Sequence, residues 1–77
     1  MASKPIPEHH LKKLEHLSSY LRELRFTEGL TQKEVSEDLA VHLNTLIRAE
    51  TSKNVTLLSL FELAEYYQID VHELFLI

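Results

Sequence analysis

Gly29 is the only glycine in this chain, and with Pro5 and Pro7 it is the whole supply of turn-forming glycine and proline in 77 residues. An all-β chain needs many Gly- and Pro-rich turns, so helices are expected throughout. The same scarcity rules out a glycine-rich phosphate loop. A chain this short buries only about 60% of the surface its unfolded form exposes, which leaves a marginal core. Cysteine is absent, so neither a disulfide nor a Cys-based zinc site reinforces that core. Helix packing, self-association or both must supply the rest.

Apolar residues recur at helical spacing. Leu11, Leu14, Leu17, Leu21 and Leu24 predict an amphipathic helix from Glu8 to about Glu28. Pro7 suits its first position and Gly29 its C-terminal stop. Residues 1–7 are expected to form a flexible N-terminus ahead of a single domain, 8–77. Thr31-Gln-Lys-Glu34 is a capping box and opens a second helix, 31–39, buried through Val35 and Leu39. After a three-residue corner, a third helix is expected over 43–50 with Leu46 and Ala49 inward. Beyond the loop Thr51-Ser-Lys-Asn54, Thr56 caps a fourth helix that turns Leu57, Leu60, Phe61, Ala64 and Tyr67 inward, widened by Leu58, Leu63 and Tyr66. Asp70-Val-His-Glu73 is a second capping box, predicting a fifth helix that carries Val71, Leu74 and Phe75.

The charge is uneven. All eight Lys and Arg fall in residues 1–53 beside eight acids, whereas residues 54–77 hold Glu62, Glu65, Asp70 and Glu73 and no base. A polyanion would therefore meet the first two-thirds of the chain. The longest apolar run, Leu74 to Ile77, is four residues, so no membrane span is expected. The first ten residues lack the apolar region of a signal peptide. A cytoplasmic protein is the expectation.

A short helix, a three-residue corner and a second short helix make the helix-turn-helix arrangement. The residues go further: Leu21-Arg-Glu-Leu-Arg25, Gly29-Leu-Thr-Gln-Lys-Glu-Val-Ser36, Leu39-Ala-Val41, Thr45-Leu46, Arg48-Ala-Glu50 and Ile69-Asp-Val-His-Glu-Leu-Phe75. Over residues 17–75 the chain resembles the Cro/phage-repressor (XRE) helix-turn-helix family. The combination of Leu-Thr-Gln-x-Glu with Arg-x-Glu fourteen residues on is specific. The resemblance implies an all-α, five-helix, lambda-repressor-like bundle with the helix-turn-helix in helices 2 and 3. It implies a transcriptional regulator that binds double-stranded DNA as a homodimer, and it places helix 43–50 in the major groove.

An α-helix fits the major groove, which is about 12 Å wide. Asn pairs with adenine, Arg with guanine, and Leu or the Thr methyl meets the thymine methyl. Leu43, Asn44, Thr45 and Arg48 are the expected base readers. Gln32, Lys33, Lys53 and Asn54 are the expected phosphate contacts, Gln32 because free amides at a helix start favour anions and because the family motif falls on it. Plainer readings stand beside these. Asn44 and Thr45 are also common helix-start residues, Arg48 also fits a solvated surface position, and so do Lys33 and Lys53. The resemblance pairs Arg25 with Glu50 as a structural ion pair.

Four departures from the family stand out. Ala40 occupies the corner usually held by glycine, which costs roughly 1 kcal/mol if φ is positive there. His42 replaces a Ser/Thr cap, and a neutral imidazole in that role would make the third helix mildly pH-sensitive. Leu43 and Ile47 are aliphatic on the face meant for DNA. The phosphate-facing positions carry few charges, so a shallow salt dependence is expected. These features support an alternative, a protein-interaction module, antitoxin-like or partner-binding, that keeps the fold with weak or no DNA binding.

The histidines do not suggest a metal site. His9 and His16 lie about 10 Å apart along a helix, and none has a Cys or acidic partner at ligand spacing. No nucleophile and base come together, so neither an enzyme nor a cofactor is expected. RNA binding lacks support because most of Tyr20, Phe26, Phe61, Tyr66, Tyr67 and Phe75 map to core-facing positions, leaving no stacking surface. The apolar C-terminus (Phe75, Leu76, Ile77), Tyr66 with Tyr67, and the turns around Leu11 and Leu14 are the candidate dimer surfaces.

Overall fold

The computed structural model describes residues 5–76; of the expected flexible segment 1–7, residues 1–4 lie outside the described residues, as does Ile77. Four α-helices follow one another: α1 (Glu8–Thr27), α2 (Gln32–Leu39), α3 (Leu43–Ala49) and α4 (Leu57–Tyr66). A 3-10 segment, Val71–Phe75, closes the chain, and no strand occurs among the described residues. α2 packs on α3, and the 3-10 segment packs on both α1 and α4. No helix among the described residues is long and apolar enough to cross a membrane.

The caps explain the boundaries. Pro7 is the N-cap of α1 instead of its first helical residue, and its carbonyl accepts from the amides of His10 and Leu11. At α2 the capping box is complete: Glu34 N–H donates to Thr31 Oγ1 at 3.1 Å, and Thr31 N–H donates to Glu34 Oε1 at 2.9 Å. Thr56 Oγ1 caps α4 by accepting from Ser59 N–H. The fifth helix expected after Asp70 is corrected to one 3-10 segment of five residues. Asp70 makes no side-chain cap bond, and without that satisfied amide a tighter 3-10 turn suffices to bring Leu74 into the core.

All four α-helices are followed by a residue with positive φ: Gly29 (+69°), Ala40 (+54°), Ser52 (+61°) and Gln68 (+58°). After α1, Leu30 N–H reaches Arg25 O and Gly29 N–H reaches Phe26 O; after α2, Val41 N–H reaches Ser36 O and Ala40 N–H reaches Glu37 O. This is the Schellman closure, which satisfies the last carbonyls of a helix. The chain makes it repeatedly with one glycine.

The core is Leu17, Leu21, Val35, Leu46, Ala49, Leu60, Leu63, Ala64, Tyr67 and Leu74. Leu24, Leu39 and Tyr66 are half-buried against it, and Leu11 and Leu14 are half-buried nearer the start of α1. Several expected core positions are corrected. On α4, Leu57, Leu58 and Phe61 point to solvent, because the side of the helix that carries Leu60, Leu63 and Ala64, continued by Tyr67 just past its end, is the one turned to the core. Phe26 and Phe75 are also exposed, so the aromatic count no longer speaks against a surface role. Of the expected dimer surfaces, Tyr67 is buried in the core and Tyr66 is tied to Asp38.

Candidate nucleic-acid interface

α3 is held from below and open above. Leu46 and Ala49 anchor its inner face in the core, while Leu43, Asn44, Ile47 and Arg48 are exposed. At about 100° per residue these four occupy one side of the helix. Asn44 stands opposite the core-facing pair, and Ile47 and Arg48 flank it one turn on. Thr45, expected among the base readers, is half-buried and lines the crevice between α3 and α4 beside Ser59. Ile47 stands on the outward face beside the other three expected readers. The i, i+4 spacing of Leu43 and Ile47 signals this, since both cannot share the side of Leu46.

The start of α3 is capped by His42, whose Nδ1 accepts from Asn44 N–H at a long 3.4 Å. The helix end is better secured. Ser18 Oγ on α1 donates to Ala49 O at 2.7 Å and accepts from Ser52 N–H at 2.8 Å. Sequence reasoning missed Ser18; its only signal is a hydroxyl placed next to Leu17 on a buried stripe.

A charged knot joins the end of α1, the start of α2 and the end of α3. Arg25 Nε and Nη2 donate to the Glu50 carboxylate at 2.8 and 2.9 Å, and Nη1 donates to Leu30 O at 2.9 Å. Glu50 is 1% exposed and Arg25 8%. The hydrogen bonds that Arg25 donates to Glu50 hold its pKa above its ordinary value, against the opposing effect of burial. The exposed Phe26 ring sits 4.6 Å from the guanidinium carbon and covers it. A two-pronged contact of this kind fixes orientation as well as distance.

Gln32 joins the knot. Its Nε2 donates to Glu50 Oε1 at 3.1 Å, so one N–H of the amide expected at phosphate turns inward, leaving the second N–H and the backbone amide for an anion. Lys33 on α2 and Lys53 and Asn54 after α3 are exposed. Arg48 is not free: its Nη2 donates to Asn54 O at 3.2 Å. The exposed bond braces the loop to the helix at small cost in reach, since such a contact contributes only about 1 kcal/mol.

The arrangement presents two amide and guanidinium side chains with two aliphatics on a rigidly backed rod. It has the size and chemistry to meet base edges in a groove, and it brings together no reacting groups. A family model described as Helix-turn-helix matches residues 21–74, well over half of the chain. No curated protein and no solved structure matches it.

Proposed function

Because the chain belongs to the helix-turn-helix family of the Cro/phage-repressor type, we propose that it is a sequence-specific transcriptional regulator that binds double-stranded DNA as a homodimer. α3 enters the major groove. Asn44 reads adenine, Arg48 turns from Asn54 O to guanine, and Leu43 with Ile47 lies against thymine methyls. Lys33, Lys53 and the start of α2 at Gln32 take the flanking phosphates. Arg25 and Glu50 touch no base and keep α1, α2 and α3 in register.

The observation that carries this reading is the contrast between the two sides of α3. One side is locked by core leucine and the Arg25–Glu50 knot, while Leu43, Asn44, Ile47 and Arg48 are exposed on the other, Arg48 braced by its bond to Asn54 O. A second copy would place an identical rod about 34 Å away, one turn of the duplex.

In vitro site selection with the whole chain tests the proposal, followed by fluorescence anisotropy at several salt concentrations. A two-fold symmetric site with half-sites one turn apart is the expected outcome. Absence of enrichment at low salt would sink it and return the protein-interaction module.

A further inference from the structure

We infer that a second copy of this chain seats the start of its α4 in a groove beside α1, and that the two copies do so reciprocally across a two-fold axis. This deepens the homodimer proposed above by naming its surface, and it rests on that reading.

The groove has a volume of about 630 Å³. His10, Lys13, Leu14 and Leu17 line it from one side of α1, with Ile6 ahead of them and Phe75 across. Nearly all of it lies outside residues 21–74, so it belongs to what this chain adds to the family domain. The matching projection is on α4, where Leu57, Leu58 and Phe61 are 62%, 65% and 49% exposed. Scattered exposed leucines are ordinary, but three large apolar side chains within five positions form a patch that marks an interaction site.

Position and charge select the occupant. Asn54 also lines the groove, and Leu57 comes three residues later, so groove and projection adjoin. Such a pair is self-complementary: across a two-fold axis each copy's projection faces the other's groove. Glu62 and Glu65 lie on α4 in a stretch without any base, whereas Lys13 and His10 edge the groove and none of its described lining residues is acidic. The opposite charges meet between copies and set the orientation of docking. Asn54 also accepts the Arg48 bond, so docking bears directly on the loop that braces the recognition face.

Sedimentation over a range of concentrations, with carbodiimide cross-linking of an equal mixture of isotopically light and heavy chains, tests this. The expected result is a dimer with mixed-isotope links from Lys13 to Glu62 or Glu65. Leu58→Asp and Leu14→Asp should each weaken it by roughly thirtyfold, the loss typical of a buried contact residue. Leu58 is exposed, so its variant keeps the helical circular dichroism even if Leu14→Asp does not fold, and it should still bind a single half-site duplex. A dimer that ignores Leu58→Asp, or that links only through other residues, overturns the surface and leaves the homodimer standing. A monomer at every concentration overturns both.

Discussion

Ser18 and Ala49, 31 positions apart, are joined by a 2.7 Å hydrogen bond from the serine hydroxyl to the last carbonyl of α3, and the same oxygen receives the amide of Ser52. One buried side chain on α1 thus satisfies two backbone groups where a helix ends and the chain reverses. Ser18→Ala leaves both without a partner, the Ala49 carbonyl buried and the Ser52 amide half-buried. The expected loss is about 1–3 kcal/mol, the desolvation penalty of the buried carbonyl, because water reaches the half-buried amide. Urea denaturation of the variant checks it, with the serine-to-cysteine or serine-to-glycine change no better.

Arg25 and Glu50 make a stronger case for a partner left behind. Removing one strands a buried charge, which costs roughly 3–5 kcal/mol. A domain of this size has little more than that in total. Glu50→Ala should therefore be largely unfolded at room temperature by circular dichroism. Arg25→Met combined with Glu50→Leu, which removes both charges, should recover most of the loss. If the double variant is as unstable as the single one, the pair contributes net stability beyond mutual neutralisation.

Ala40 holds a left-handed turn at φ +54° with a Cβ, while Gly29 holds one at +69° and a Cβ added there meets nothing within 4 Å. The two sites isolate backbone strain from packing. Ala40→Gly should stabilise the protein by about 0.5–1 kcal/mol and Gly29→Ala should destabilise it by a similar amount. Thermal melts of both variants compare the two directly, and a melting temperature lowered by Ala40→Gly would show that the corner is not strained.

Much of this was legible in the residues. The Leu17–Leu21–Leu24 spacing, the Thr31–Glu34 box and the three-residue corner fix three helices and their order, because capping and periodicity are local. The solvent face of α4 was not legible. Its apolar residues surround the helix, so spacing alone cannot say that Leu60 and Leu63 go in while Leu57, Leu58 and Phe61 stay out. Nor could local signals find Ser18 at Ala49 or Gln32 at Glu50, contacts between residues 31 and 18 positions apart. Left-handed Ser52 and Gln68 carry no mark of their own, since the glycine that usually announces such a turn is missing.

Alkaline pH should weaken the fold through two adjacent tyrosines. Tyr66 O–H donates to Asp38 Oδ2 at 2.6 Å, and this bond foremost pushes its pKa from 10.0 up to about 12. Burial foremost pushes Tyr67 up to about 12, and its buried hydroxyl has no partner among the described residues. A pKa raised on folding means that the neutral form is favoured in the native state. The resulting stability is complete below the unfolded value of about 10 and is lost as pH climbs towards 12. Melts followed from neutral to alkaline pH, with tyrosinate absorbance, should show stability falling in that window. Tyr67→Phe, which removes an unpartnered hydroxyl, should hold or raise stability at neutral pH and flatten the alkaline fall.

Arg48 and Lys53 separate reading from holding. Arg48 is tethered only by its exposed bond to Asn54 O, so releasing it to reach a guanine costs little beside the roughly 1–3 kcal/mol that a two-pronged base contact contributes. Arg48→Ala should lose about that much on the selected duplex and tolerate any base at one position, with binding to random DNA unchanged. Lys53→Ala should instead weaken selected and random duplexes alike and lower the salt slope by about one, the signature of a single phosphate contact. Anisotropy titrations of the two variants on both duplexes read the difference. If Arg48→Ala lowers affinity uniformly and Lys53→Ala does nothing, the arginine serves the loop and the phosphate backbone, and base reading passes to Asn44 and the aliphatic pair.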